Sequence, residues 1–222
     1  MAGKDTYTSI LAPSEGLYKE SGSRFIAYAL PVSSVSEAKS AVDSIRKEHF
    51  SARHCCFAYR IGHDGAIWRA NDDGEPSGTA GRPILGQIDA RGLSDVLVVV
   101  VRYFGGVKLG VPGLIRAYRA ATSDALDKVP PMTKTASEPF RISFPYPVMN
   151  DVMKLLKDSA LTVRERDFSD GCRIDVDIPL SLREETARKA AMIEGCSIIS
   201  IKTINNQQYA KESDFREGFF EG

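Results

Sequence analysis

Apolar and polar residues follow strand and helix periods in turn along the first half of the chain. Residues 54–61 alternate between a face that carries His54 and Cys56 and a face that carries Cys55 and further apolar side chains, which predicts a strand. A capping box at residues 34–37 precedes apolar positions with helical spacing. The first half is therefore predicted to form strands at residues 24–32, 54–61, 66–70 and 95–103, and helices at 34–49, 79–91 and 114–125. The run of Val and Leu in the last of these strands predicts burial on both faces.

The second half has a shorter pattern. Strands are predicted at residues 140–144, 161–168, 173–178 and 197–204, with helices that begin at Pro147 and at a second capping box, Ser181-x-x-Glu184. This order, β-α-β-β-α-β, is that of the ferredoxin-like split fold. Residues 206–222 are polar and are predicted to form a frayed tail.

The adjacent prolines at 130 and 131 separate the two patterns. We therefore predict a two-domain α+β protein with a first domain at residues 1–132 and a ferredoxin-like domain at residues 133–205, followed by the tail at 206–222.

Composition excludes several classes of protein. The 29 basic and 29 acidic residues give a net charge of zero, so any nucleic-acid site must be a local patch. The four cysteines form no C-x-x-C pair, which argues against structural zinc, and we expect no metal and no cofactor. No apolar run approaches the length of a membrane span and no signal peptide opens the chain, so a cytoplasmic protein without a membrane partner is expected.

Glycine is concentrated between residues 62 and 113, where 11 of the 18 glycines lie. The glycine-rich segment, residues 102–113, falls between a predicted strand and a predicted helix, a position where backbone N–H groups can bind an anion. Residues 96–122 contain no acid and four cations, which suits phosphate. The candidate anion-binding residues are Arg102, Gly105, Gly106, Lys108, Gly110, Arg116 and Arg119. The alternative is a tight connection whose glycines serve packing.

A second candidate site is polar. The acidic loop, residues 71–81, carries Asp72, Asp73 and Glu75, which could bind a cation, act as acid and base, or orient nearby arginines. His54 lies on a strand face two residues from Cys56 and completes this possible polar site. The alternatives are a turn formed by Asp-Gly and Pro-Ser-Gly, and a structural His–Cys pair. No residue is assigned a catalytic role.

Long motifs in the first half resemble the IMPACT family, in its bacterial YigZ-type branch. The matching stretches are residues 23–27, 54–61, 72–84, 98–110 and 113–118. The resemblance implies a ribosomal-protein-type βαβ first domain, a ferredoxin-type second domain, and a role in translation, since eukaryotic members act in translational control through a protein partner. Val111 and Pro112 replace the small, flexible pair that the family usually has, and Pro112 removes one N–H donor.

Two functions follow as hypotheses. The favoured one is a non-enzymatic module that binds RNA, the ribosome or a translation factor, with a protein partner as a further possibility. The alternative is a small hydrolase or phosphate-ligand enzyme that uses Asp72, Asp73 and Glu75 with His54. Convergence of the motif loops on one pocket of several hundred Å³ would favour the enzyme, and an open grooved face would favour the binding module.

Overall fold

The protein is described here by a computed structural model, which covers residues 5–169 and 171–201. The chain divides into two compact units. The N-terminal unit comprises residues 6–134, and the described part of the C-terminal unit comprises residue 5 and residues 135–201 except 170. The predicted tail at 206–222 lies outside the described residues.

A five-stranded sheet forms the centre of the N-terminal unit. Its strands are β2 (Ser14–Glu20), β3 (Ser23–Pro31), β4 (His54–Ile61), β5 (Ile67–Asn71) and β6 (Val96–Tyr103). They lie in the order β2-β3-β6-β4-β5, and every neighbouring pair is antiparallel. The predictions of the last four strands are therefore confirmed.

Helices cover both faces of this sheet. They are α1 (Val35–Glu48), α2 (Gly81–Ala90) and α3 (Gly110–Asp127). The side chains of α1 pack with Leu97, Val99 and Val101 on one face, while α2 and α3 pack with Val98 and Val100 on the other. Strand β6 is consequently buried on both faces, as its apolar run predicts.

Two short strands at the start of the chain were not predicted. Strand β1 (Thr6–Ile10) pairs with β7 (Pro131–Thr135), which begins at the second of the two prolines that separate the predicted domains. The boundary predicted at residue 132 thus falls inside β7, and the division in the structure lies after Lys134. Strand β2 is an edge strand in which only Gly16 is buried, so its sequence lacks the alternation that would mark it.

Two predicted helix starts also differ from the structure. Helix α3 begins at Gly110, because Gly110–Gly113 form its first turn rather than a loop. Helix α2 begins at Gly81, two residues after its predicted start, and its first N–H groups are capped by the carboxylate of Asp72. The start of α2 is capped by a residue of the preceding loop, and the start of α3 has no side-chain cap. Local sequence patterns reveal neither arrangement.

The C-terminal unit has the predicted order of elements. Its elements are β8 (Ser137–Phe144), α4 (Met149–Asp158), β9 (Thr162–Asp167), β10 (Cys172–Pro179), α5 (Arg183–Ala191) and β11 (Ser197–Ser200). The sheet order β11-β8-β10-β9, antiparallel throughout, is that of the split β-α-β fold. The second capping box is absent, because Ser181 lies in a 3-10 turn and its N–H donates to Asp5. Residues 202–204 of the last predicted strand lie outside the described residues.

Asp95 ties the β1–β7 ribbon to the five-stranded sheet. Its buried carboxylate accepts hydrogen bonds from the Tyr7 hydroxyl at 2.6 Å, the Gly62 N–H at 2.9 Å and Lys134 Nζ at 2.9 Å. Burial by itself raises the pKa of Asp95, but these three donors outweigh it and hold the pKa below its ordinary value. The ionised form of Asp95 therefore stabilises the N-terminal unit.

We expect Asp95 to make this unit sensitive to acid. Because the native pKa is depressed, its stabilisation is complete above the unfolded-state pKa of about 3.9 and is lost as the pH falls through the lower native value. Urea unfolding at pH 7 and pH 3, followed by the fluorescence of the single tryptophan, Trp68, measures the difference. In Asp95→Asn this difference should be smaller. An equal loss in both proteins would contradict the assignment.

Close approach of α3 to β2 depends on Gly16. A Cβ at this position would lie 2.4 Å from Ala125 N and 2.5 Å from Ala121 O, both backbone atoms of α3. We expect Gly16→Ala to lower the free energy of unfolding by at least about 2 kcal/mol. Gly86→Ala is the matched control, since Gly86 faces open space within α2 and the change should raise stability by up to about 1 kcal/mol. Thermal melts of both variants compare them, and equal effects would contradict this packing role.

Candidate functional site

One cleft in the N-terminal unit brings the glycine-rich segment and the acidic loop together. It has a volume of about 410 Å³ and lies where β6 ends, β4 begins and α3 begins. The antiparallel pairing of β4 and β6 places His54 opposite Arg102. Its walls are formed by Arg53, His54, Glu75, Pro76, Arg102, Phe104, Lys108, Leu109, Gly110, Val111 and Leu114.

The floor of the cleft is a buried ion pair. Arg102 Nη1 donates to Glu75 Oε1 at 2.7 Å, and the Tyr118 hydroxyl donates to the same oxygen at 2.9 Å. Arg102 is 6% exposed and Glu75 is 8% exposed. The guanidinium lies 5.4 Å from the Phe25 ring centre and 5.6 Å from that of Phe104, so it is held between two aromatic rings. Its charge is balanced by Glu75, which contradicts the inference that this basic stretch has no counter-charge.

One atom of this floor is not satisfied. Among the described residues, Arg102 Nε–H has no hydrogen-bond partner although it is buried. A buried donor without an acceptor costs about 1–3 kcal/mol, so native proteins rarely retain one. An acceptor that enters the cleft and reaches this N–H would recover that free energy.

The start of α3 forms one wall. The first N–H groups of a helix have no acceptor within the helix, and no side chain caps α3 at Leu109. Pro112 lies in this first turn and contributes no N–H, whereas Gly110 and Val111, which line the cleft, each carry one. The helix dipole adds a partial positive charge at the same place.

Two cations stand at the rim. Lys108 and Arg53 are exposed, and neither forms an ion pair within the part of the chain that the structure describes. Phe104, 55% exposed, lines the same cleft. The positive charges, the helix start and an exposed aromatic ring thus belong to one cleft, which can hold an anion that carries a ring system.

The acidic loop is held by its own carboxylates. Asp72 accepts hydrogen bonds from the N–H groups of Gly78, Ala80 and Gly81. Burial raises the pKa of Asp72, but these donors outweigh burial and lower it. Asp73 accepts from Cys55 N at 2.7 Å and pairs with Arg46 at 2.7 Å, on the side of the sheet covered by α1. Of the three predicted carboxylates, only Glu75 lines the cleft. In the described part of the chain, no three His, Cys, Asp or Glu residues gather as metal ligands do.

His54 presents one ring nitrogen to the cleft. Its Nδ1 is 2.8 Å from the carbonyl oxygen of Asp73, which can only accept, so Nδ1 carries the proton in this hydrogen bond. Nε2 is then the nitrogen available to a ligand. Cys56 lies deeper, where burial raises its pKa far above the ordinary value, and burial also raises the pKa of Cys55 to about 11. Neither thiol is a thiolate at neutral pH, which excludes the His–Cys nucleophile.

The predicted glycines divide into two roles. A Cβ on Gly105 would lie 1.9 Å from the backbone carbon of Gly22, so Gly105 allows two backbone segments to touch. Gly106 and Gly110 have φ angles of 92° and 68° and face open space or the Pro112 ring. Packing therefore explains Gly105, whereas a positive φ explains the other two.

Arg116 and Arg119 do not reach the cleft. They line a separate depression with Val111 and Pro112, on the exposed side of α3. Arg116 forms an ion pair with Glu20, so a second predicted cation has a counter-charge from a distant strand. Arg119 is exposed and forms no ion pair with any described residue.

Sequence reasoning missed Arg53 and Phe104 as site residues. Arg53 directly precedes the predicted strand that carries His54, and Phe104 lies within the glycine-rich segment. In the sequence, Arg53 is adjacent to His54 and Phe104 is adjacent to Gly105, and this adjacency to predicted site residues is the signal that could have identified them. Only the pairing of β4 with β6 shows that both side chains meet at the same edge.

The floor ion pair yields a stability prediction. Glu75→Ala should lower the free energy of unfolding by about 3–5 kcal/mol, because Arg102 would remain buried without its carboxylate. The double variant Glu75→Ala/Arg102→Met should be more stable than Glu75→Ala alone, since it removes the unpaired charge. Urea unfolding monitored by Trp68 fluorescence compares them. A double variant as unstable as the sum of the single changes would contradict this role.

Comparison with known proteins supports the resemblance in the motifs. The family model of the Impact N-terminal domain matches residues 21–126. The chain is 39% identical over 153 residues to the IMPACT family member YvyE of Bacillus subtilis, covering 69% of this chain and 70% of that protein. It is 34% identical over 171 residues to the IMPACT family member YigZ of Escherichia coli, covering 76% and 84%.

A solved structure has the same fold. The crystal structure of a hypothetical protein superposes with a TM-score of 0.69 at 31% identity, covering 89% of this chain and 98% of that one. No helix in the described residues has the length and apolarity to cross a membrane. With relatives above 30% identity that are matched over more than two thirds of their length, the chain belongs to the IMPACT family.

Proposed function

We propose that the N-terminal unit binds single-stranded RNA at the cleft and through it contacts the translation machinery. One observation carries the proposal: an exposed Phe104 ring lies beside an uncapped helix start and two cations without ion-pair partners among the described residues. Single-stranded RNA is bound by such pairs of features, because a base stacks on an aromatic ring while phosphates meet cations.

The family supports the link to translation. The resemblance to the IMPACT family implies a role in translational control for its eukaryotic members, and this chain belongs to that family. A net charge of zero agrees with a local site rather than a long basic groove. Of the four predicted cations, this proposal keeps Lys108 as a phosphate contact and adds Arg53. Arg102 and Arg116 are neutralised by glutamates, and Arg119 lines a neighbouring depression.

The size of the cleft favours a second candidate, an enzyme that acts on a phosphate ligand. A volume of about 410 Å³ lies within the range of small-molecule sites, about 300–1,000 Å³. The carboxylates of the acidic loop argue against an enzyme. Asp72 and Asp73 accept hydrogen bonds from backbone N–H groups, and Glu75 accepts from Arg102 and Tyr118. Incubation of end-labelled RNA with the protein, resolved on a gel, separates the two: intact RNA fits a binding module and cleaved RNA fits the enzyme.

Salt dependence tests the RNA proposal. If Lys108 and Arg53 each meet one phosphate of a single strand, log K should fall with log salt at a slope near −1.4, about −0.7 for each contact. Lys108→Ala should reduce the magnitude of that slope by about 0.7, while the melting temperature stays nearly unchanged because an exposed charge is removed. Fluorescence anisotropy of a labelled single-stranded RNA across a salt series gives both slopes.

Arg119→Ala is the matched control. Arg119 is an exposed cation of α3, the helix whose start lines the cleft, but its side chain lines the neighbouring depression. We expect its slope to equal that of the unaltered protein. A reduced slope in Arg119→Ala with no change in Lys108→Ala would place the phosphates along α3 and overturn the cleft assignment.

A further inference from the structure

The cleft has a buried floor and an exposed rim. Its buried members, Glu75, Arg102 and Leu114, lie at the floor, and its exposed members, Arg53, Phe104 and Lys108, lie at the rim.

The charges of the cleft favour a dianion. Arg102 and Glu75 neutralise each other at the floor, whereas Lys108 and Arg53 contribute two positive charges at the rim. The start of α3 adds the equivalent of about half a charge. An internal phosphodiester carries one negative charge, but a phosphomonoester carries about −1.5 to −2 at pH 7 and offers three acceptor oxygens.

The hydrogen-bonding groups match the same ligand. Gly110 and Val111 line the cleft at the uncapped start of α3, and Arg102, which also lines it, carries a buried Nε–H without a partner among the described residues. A terminal phosphomonoester presents three non-bridging oxygens to such donors, whereas a phosphodiester within a chain presents two.

From these observations we propose that the cleft binds the terminal phosphomonoester of a nucleotide, with the attached base stacked on Phe104, in preference to a phosphodiester within a chain. The inference rests on the proposed function and deepens it by naming the ligand group. The same chemistry is present at a phosphorylated end of RNA and in a free mononucleotide.

The experiment compares four probes in anisotropy or competition at low salt. Three are one labelled RNA sequence with a 5′-phosphate, a 3′-phosphate or hydroxyls at both ends, and the fourth is AMP, with adenosine as its control. One of the phosphorylated RNAs should bind about tenfold more tightly than the hydroxyl-ended RNA, because an added charge meets two cations at close range. Displacement by AMP but not by adenosine assigns the free mononucleotide as a source, and displacement by neither assigns the chain end.

Variants link this preference to the cleft. In Arg53→Ala/Lys108→Ala the preference for the phosphorylated end should fall below about twofold, while Arg119→Ala should keep the full preference. Melting curves show that each variant is folded. Equal binding of all three RNAs by the unaltered protein, or displacement by adenosine as effective as by AMP, would overturn the terminal-phosphate inference and leave RNA binding intact. No binding of any RNA would overturn the proposed function as well.

Discussion

The buried ion pair of Arg102 and Glu75 joins the parts of the N-terminal unit that form the cleft. Arg102 lies on the central strand β6, Glu75 lies in the acidic loop, and Tyr118 of α3 donates to the same carboxylate oxygen. Two charges are removed from water here, which is costly unless each finds its partner with good geometry. The loop and the helix can therefore take only positions that keep both partners in reach, and these positions define the walls of the cleft.

Around this pair, groups that look chemically active serve the scaffold. The carboxylate of Asp72 caps α2, and that of Asp73 accepts the N–H of Cys55 at the start of β4. The Asp73 carbonyl accepts a hydrogen bond from Nδ1 of His54. The acidic loop therefore orients the site through backbone contacts more than it supplies reactive groups. What remains open to a ligand is complementary to an anion, namely the two rim cations and the uncapped start of α3.

The Phe104 ring adds a stacking surface to this anion site. Phe104 follows β6 directly, and its ring lies over the Arg102 guanidinium while about half of it stays exposed. A cation beneath the ring and cations beside it combine stacking with charge, the combination that nucleotides require. Neither the charge nor the ring would suffice alone in a protein with no net charge, since non-specific attraction for RNA is weak in such a chain.

The sequence alone determined the elements whose residues face a core on one or two sides. The apolar run of β6, the alternation of β4 and the capping box of α1 predicted those elements, because burial imposes a period on neighbouring residues. The long motifs likewise identified the family. Strands β1 and β2 were not predictable, since an edge strand is stabilised by a partner that is distant in sequence and needs no apolar period.

Only the tertiary structure decided which predicted site residues act together. A stretch without acids appears uncompensated in sequence, yet Glu75 and Glu20 reach Arg102 and Arg116 through space. One cleft is lined by His54, Glu75, Arg102 and Lys108. Arg116 and Arg119 instead line a neighbouring depression on α3. The reason is physical: electrostatic interactions and cleft shape depend on distances across the fold, and these are set by the pairing of β4 with β6 and by the packing of α3, neither of which leaves a local pattern.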